Sequence, residues 1–421
     1  MKRYDSYKDS GVKWIGEIPS HWKRCRNKDI MRERKDIVGD KANKYTLLSL
    51  TMNGVIIRDI SEGKGKFPKD FTTYKIVRPG QMVFCLFDIE ETPRTVGLVK
   101  NEGMLTGAYD VFDLHNVNGH YLYYYYESID DRKALKPLYR GLRKTIPTPT
   151  FMSMSVYLPP LPEQRAIVSF LDTELGKIDI YMDKEQQLIE RLKELKQSLI
   201  ARAVTHGIDP NVKMKPSGIN WIGEIPEHWE VKRLSQVAKE YFISNKDIHH
   251  QNLLSLSYGK IIRKDITTTK GLLPSSFDNY QVVKNGVIVL RLTDLQNDHR
   301  SLRVGLAREE GIVTSAYLSI ICRNNITSEY LYEQLHCNDI HKVFYGMGDG
   351  LRQSLNWDGL HNLLIALPPL AEQRAIVDYL QDKTSKIDKL ISEKTRELEY
   401  MKELRQRIIS DAVTGKIDVR S

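Results

Sequence analysis

Cysteine is scarce in this chain: four residues in 421 (Cys25, Cys85, Cys322, Cys337), with no Cys-x-x-Cys pair and no His at ligand spacing. Such scatter argues against a zinc site or a disulfide framework and for free thiols in a reducing compartment. Long apolar runs are missing as well. No stretch approaches the roughly twenty apolar residues needed to cross a bilayer. The opening MKRYDSYKDSGVKWIGEIP has no apolar centre of the signal-peptide kind, so a cytoplasmic location and no membrane partner are expected. No Walker-type Gly-x-x-x-x-Gly-Lys-Ser/Thr loop occurs. The nearest string, Glu62-Gly-Lys-Gly-Lys66, has the wrong spacing and no hydroxyl. Gly-x-Gly-x-x-Gly after a strand, an Asn-Pro-Pro-Tyr-like base-holding string, a nucleophile elbow and His-Glu-x-x-His are all missing. Carboxylate–Lys strings such as Glu194-Leu-Lys196 fall in a long helical pattern and read as a solvated face. These absences predict a binding protein with no catalytic centre, metal or cofactor of its own.

Positive charge is what the chain has in excess. Lys and Arg number 63 against 54 Asp and Glu, for a net +9 and a pI near 9.1. A cationic surface gains by releasing counterions from phosphate, so the balance suits a polyanionic partner. With 41% apolar residues over 421 positions, two or more cores are expected.

The chain is written twice. Gly11–Trp22 (GVKWIGEIPSHW) returns at Gly218–Trp229 (GINWIGEIPEHW), 221 − 14 = 207 residues on as measured at Trp14 and Trp221. Gly54-Val-Ile-Ile-Arg-Asp-Ile60 returns as Gly259-Lys-Ile-Ile-Arg-Lys-Asp-Ile266, and Leu158-Pro-Pro-Leu-Pro-Glu-Gln-Arg as Leu367-Pro-Pro-Leu-Ala-Glu-Gln-Arg, 367 − 158 = 209 residues on. Two long copies exclude a solenoid and imply an approximate two-fold relation or two equivalent binding surfaces.

Each copy divides into a globular part and a helix, giving boundaries at 1–158, 159–207, 208–367 and 368–421. Short apolar runs after turn residues, such as Gln81–Phe87 behind Arg78-Pro-Gly80, read as strands. Tyr121–Ser128 and Tyr330–His336 read as helix, so the globular parts are mixed α and β within an α+β chain. The helical parts follow a Pro pair and carry Glu163 and Glu372 on the first turn. Leu171, Leu175, Ile178, Met182, Ile189, Leu192, Leu199 and Ala203 recur at steps of three and four. So do Leu380, Ile387, Ile391, Leu398, Met401, Ile408 and Ala412. Gly207 and Gly415 stop the helices. A stripe of some forty residues, about 60 Å, must lie against a partner, and an antiparallel coiled coil with the other copy satisfies it. Two seam positions are polar in both copies: Glu185 aligns with Lys394 (394 − 185 = 209), and Lys196 aligns with Arg405. Glu185 and Lys394 are expected to face each other and fix the register.

The Pro-Pro-Leu-x-Glu-Gln strings, each before a heptad helix ending in AVTHGID or AVTGKID, resemble the paired conserved regions of type I restriction–modification specificity subunits. The GxxWIGEIPxHW opening is similar to the start of many such subunits. The resemblance covers essentially the whole chain. It implies two target-recognition domains alternating with two helices, each domain reading half of a split, asymmetric duplex target. The helix pair would act as a ruler, with half-sites about one helical turn, ~34 Å, apart. It also implies two methyltransferase (modification) subunits that bring S-adenosylmethionine to methylate adenine, and restriction/translocase subunits that use ATP and Mg. An orphan specificity protein for methylation alone, and a coiled-coil interaction scaffold, are the rival readings. A self-sufficient methyltransferase would need the missing cofactor motifs.

Base reading favours Arg on guanine and Asn or Gln on adenine, at positions where the copies diverge. One divergent segment is Asp88–Arg94 against Asp294–Arg300, in which Asp88 and Asp294 also read as turn caps. Another is Leu138–Lys144 against Gly350–Ser354, and a third Lys64-Gly-Lys66 against Lys270-Gly-Leu272. The candidate DNA contacts are Lys64, Lys66, Arg94, Arg143 and Lys144 in the first copy. In the second they are Lys270, Arg291, Gln296, Asn297, Arg300, Arg303, Arg352 and Gln353. The aromatic run Tyr121–Tyr126, and Trp14, Trp22, Trp221 and Trp229, read as packed core.

Overall fold

The duplicated sequence folds into the same order of elements twice. A computed structural model of the chain describes residues 2–12, 14–58, 70–246, 250–265, 276–296, 298, 301–347 and 354–420. In the first copy an antiparallel hairpin, Tyr7–Asp9 with Glu17–Pro19, precedes a strand, Lys23–Arg26, that pairs with Ser155–Leu158. Between them lies a four-stranded antiparallel sheet in the spatial order Met31–Arg34, Asp110–Leu114, Met82–Phe84, Val96–Leu98. The second copy repeats the hairpin (Met214–Pro216 with Glu224–Pro226) and the closing pair (Glu230–Arg233 with Leu364–Leu367). Its sheet runs Ala238–Glu240, Leu318–Cys322, Ile288–Leu290, Val304–Leu306.

A helix packs on each sheet, Gly119–Asp131 and Ser328–Ile340. Both start where a side-chain oxygen accepts from the backbone N–H three residues on. Asn118 accepts from Tyr121 at 3.0 Å and Thr327 from Tyr330 at 3.3 Å. Tyr121, Tyr125 and Tyr126 are buried, as the packed-face reading of the aromatic run expects.

Two helices dominate the chain, Leu161–His206 with 46 residues and Leu370–Val413 with 44. Each ends where a glycine takes the left-handed backbone, Gly207 at φ 75° and Gly415 at φ 73°. The chain divides into two compact units, residues 1–186 with 396–421, and residues 187–395. In the first unit, Ile167, Leu171, Leu175 and Ile178 of the first long helix share one core with Ile408, Ile409, Ala412 and Val413 of the second. Trp22, Phe84, Phe112 and Tyr121 join that core. In the second unit Ile376 and Leu380 share a core with Ile200, Ala203 and Val204, and with Trp229, Tyr330 and Leu335. Each globular part therefore buries the start of its own helix and the end of the helix from the other copy. The stripe is fully buried mainly where it meets a globular core, whereas Met182, Leu192, Leu199, Ile391 and Met401 stay half-buried.

The four cysteines are unbridged. Burial pushes the Cys25 thiol up to about 11 and those of Cys322 and Cys337 to about 12, which leaves them protonated and unreactive at neutral pH. Among the described residues no helix is long and apolar enough to cross a membrane.

Candidate nucleic-acid interface

The two repeated strings meet in space and make the frame on which the divergent loops sit. Glu163 Oε1 accepts from Trp22 Nε1 at 3.0 Å and from the Tyr4 hydroxyl at 2.7 Å, while its Oε2 lies 2.8 Å from His21 Nε2. The second copy repeats this with Glu372, Trp229 at 3.0 Å and His228 at 2.6 Å. The neighbouring glutamines tie the helix start to the cap of the shorter helix. Gln164 accepts from Asn118 N and donates to Pro159 O, and Gln373 accepts from Thr327 N and donates to Pro368 O. The Glu-Gln pair thus does more than put negative charge on a first turn.

The polar seam positions Arg405 and Lys196 each find an aspartate on the other helix within their own unit. Arg405 lies 3.5 Å from Asp179, and Lys196 lies 2.6 Å from Asp388. Asp388 follows Asp179 by 209 residues, the repeat offset, so one ion pair occurs twice. In the first unit, Asp179 facing Arg405 and Tyr181 bonded to Glu397 at 3.0 Å show that the segments run antiparallel. In the second unit a methyl on Gly207 would stand 3.1 Å from Glu372, while Lys196 reaches Asp388, and the sense is the same. Glu185 belongs to the first unit and Lys394 to the second, each half-buried on its helix.

In the first copy two divergent segments come together. The turn at 140–145 is closed by paired bonds between Arg140 and Thr145 (2.9 and 3.0 Å). It is laid against the 86–94 loop by Asp88 N to Arg143 O at 2.8 Å and Ile146 N to Leu86 O at 2.9 Å. Arg143 pairs with Asp88 at 2.8 Å and lies over the Phe87 ring, and Lys144 pairs with Glu90. Those bonds from Lys144 and from Lys136 bring the Glu90 carboxyl down to about 2. Both cations remain substantially exposed, Arg143 most of all. In the second copy Leu355 N donates to Leu292 O at 2.8 Å, which joins the corresponding segments. Arg291 pairs with Asp298 at 3.5 Å and Gln296 is exposed on the same loop. Asp88 and Asp294 both take positive φ, 47° and 56°, and each backbone C=O accepts from an N–H four residues on, which fits the turn-cap reading.

Two of the expected DNA contacts are corrected. Arg94 is 5% exposed and held by Asp131 at 2.8 Å, Glu127 at 3.3 Å and Asp130 at 3.4 Å. Burial opposes its charge, but the three carboxylates outweigh that and leave its pKa above the ordinary value. Arg303 is fully buried. Its guanidinium donates to the carbonyls of Arg291 (3.1 Å), Thr293 (2.8 Å), Asp294 (3.3 Å) and Asp298, and to the Tyr345 hydroxyl (3.1 Å). Both cations brace their loops from within the fold. Lys64, Lys66, Lys270, Asn297, Arg300, Arg352 and Gln353 lie outside the described residues. The structure also brings forward Leu142, on the tip of the 140–145 turn, which charge-based reasoning passes over.

Comparison with known proteins comes to the same place. A family model described as a type I restriction modification DNA specificity domain matches residues 97–191 and 226–400. The MjaX chain of Methanocaldococcus jannaschii, provisionally named a type I restriction enzyme specificity subunit, is 25% identical over 450 positions, spanning 99% of this chain and 98% of that one. The MjaVIII specificity subunit of the same organism is 27% identical over 290 positions, 64% of each chain. A solved structure described as showing complex assembly and conformational transition of the type I R-M system matches with a TM-score of 0.68. It does so at 15% identity, over 95% of this chain and 99% of that one. At that identity the likeness speaks for the fold alone.

Proposed function

This chain belongs to the family of type I restriction-modification DNA specificity domains, and on that premise we propose that each globular domain reads one half of a split, asymmetric DNA target. The helix pair sets the gap between the halves. Two methyltransferase subunits dock on the duplicated framework and bring S-adenosylmethionine to adenines in the target. Restriction/translocase subunits add ATP- and Mg-dependent cleavage of unmethylated DNA. The chain itself contributes recognition and no catalytic group.

The observation that carries this reading is the contrast between a shared frame and unlike loops. Glu163 and Glu372 hold equivalent Trp–His pairs, whereas the segments above differ in charge and hydrogen-bonding capacity, Glu90 and Glu91 standing where the other copy has Gln296 and Asn297, and Lys144 where it has Gln353. A protein that presents one scaffold with two sets of donors suits two unlike half-sites. The test is single-molecule mapping of methylated adenines in cells that express the chain with its methyltransferase subunit, with a deletion as control. A two-part motif with a fixed gap that vanishes on deletion is the expected result. An unchanged methylation pattern would overturn the proposal.

A further inference from the structure

Leu142 is fully exposed, at 102% of its reference area, on a turn whose backbone is otherwise fastened down. Besides the paired Arg140–Thr145 bonds, Lys144 N donates to Gly141 O at 3.2 Å, and the C-terminal side of the turn is bonded to the 86–94 loop at Arg143 and Ile146. One exposed leucine is ordinary on a protein surface, so exposure alone decides nothing. Three further features do. The turn carries Arg140, Arg143 and Lys144, and although Arg143 and Lys144 pair with Asp88 and Glu90, both pairs are solvent-exposed and so weakly held that a phosphate can take over the cations. Lys144 is held at φ 45°, a left-handed conformation that costs free energy for a residue with a side chain, and Gly141 beside it is at φ 67°. The tripeptide Gly141-Leu142-Arg143 also returns as Gly350-Leu351-Arg352, 351 − 142 = 209 residues on, while its flanks change from Arg140 and Lys144 to Asp349 and Gln353.

We propose that Leu142 is a wedge that enters a base step of the DNA half-site read by the first domain, an inference that rests on the DNA-reading function above. A residue common to both copies, between flanks that differ, suits a task blind to sequence: prying a step open while its neighbours read base edges. Apolar side chains unstack and kink duplexes in this way, and pyrimidine–purine steps yield most readily. The rigid turn supplies what a wedge needs, because a leucine on a loose loop would fold back before it entered the stack. The cations fix its approach by contacting the phosphates on either side.

The experiment uses the full chain in complex with its methyltransferase subunits, on duplexes carrying the mapped target. 2-Aminopurine is placed singly at each position of the first half-site, leaving out the methylated adenine and its neighbours because methyltransferases flip that base. Wild type is expected to brighten the probe several-fold at one step. Leu142→Ala should abolish the brightening and weaken target binding by about tenfold, with affinity for unrelated duplex and the unfolding midpoint unchanged, and Leu142→Met should retain it. Target binding without brightening at any position, or brightening that survives Leu142→Ala, overturns the wedge and leaves the DNA-reading function standing. Affinity lost on replacing one thymine by uracil, with no probe signal, would likewise overturn it in favour of a methyl contact. Failure of the wild-type complex to bind its target at all would instead overturn the function on which the wedge rests.

Discussion

Replacing Arg303 by Met removes a buried cation while nearly preserving side-chain volume, and the structure says what remains. Five guanidinium donors reach four backbone carbonyls and one hydroxyl within a loop that spans Arg291–Asp298 and the neighbouring Tyr345. An acceptor left buried without a donor costs about 1–3 kcal/mol. Water entering beneath the loop can satisfy some of them, and the variant no longer bears the desolvation of the guanidinium. A net loss of about 3–5 kcal/mol follows, a few unmet acceptors at that cost, less what water restores, and a large share of a domain's stability. Denaturant unfolding followed by tryptophan fluorescence reads the loss. Adenine-methylation mapping reads its consequence, since the half-site served by residues 187–395 should become degenerate while the other half persists. An unfolding free energy within about 1 kcal/mol of wild type, together with an intact two-part motif, would refute the assignment of Arg303 as the loop's internal support.

Other perturbations test the frame and the seam. Gly415→Ala puts a methyl 2.3 Å from Pro19 Cδ and 3.1 Å from Trp22, on a backbone at φ 73°, and should cost about 3 kcal/mol or more by thermal unfolding. Gly207→Ala meets Glu372 Oε1 at 3.1 Å, Trp229 at 3.4 Å and Pro226 at 3.8 Å, none as close as Pro19 is to Gly415, so roughly 1–2 kcal/mol is expected. Burial pushes the Glu333 carboxyl up to about 7, against the nearby Lys196 and Arg308. The folded state therefore binds this proton more tightly than the unfolded one, and the stability it contributes is complete below about pH 4.5 and lost as pH rises through about 7. Glu333→Gln should gain on wild type across that window, by roughly 3 kcal/mol at pH 8. His336, driven down to about 4 mainly by burial, gives the opposite slope below its ordinary range. It does so in both proteins and cancels in the difference. A double-mutant cycle on Lys196 and Asp388, whose side chains are 27% and 47% exposed, should return a coupling of only about 0.2–1 kcal/mol.

The duplication, the alternation of globular part and helix, the helix ends at Gly207 and Gly415, and the family are legible in the sequence. All of these depend on local periodicity, on turn residues, or on strings that repeat at a set offset. The buried state of Arg94 and Arg303 is of another kind. A charged side chain is drawn inside only when carboxylates or carbonyls converge on it in the folded chain, and no residue pattern along the sequence records that convergence. Candidates chosen for charge therefore included two residues that support the loops from within, and charge gave no reason to consider Leu142, exposed on the 140–145 turn. The Asp179–Arg405 and Asp388–Lys196 pairs stand between these cases. Their 209-residue offset is in the sequence, but that the aspartate of one helix meets the cation of the other follows only from the antiparallel packing inside each unit. Local chemistry determined what the elements are, and tertiary packing decided which charges face water, because burial is a property of the assembled fold.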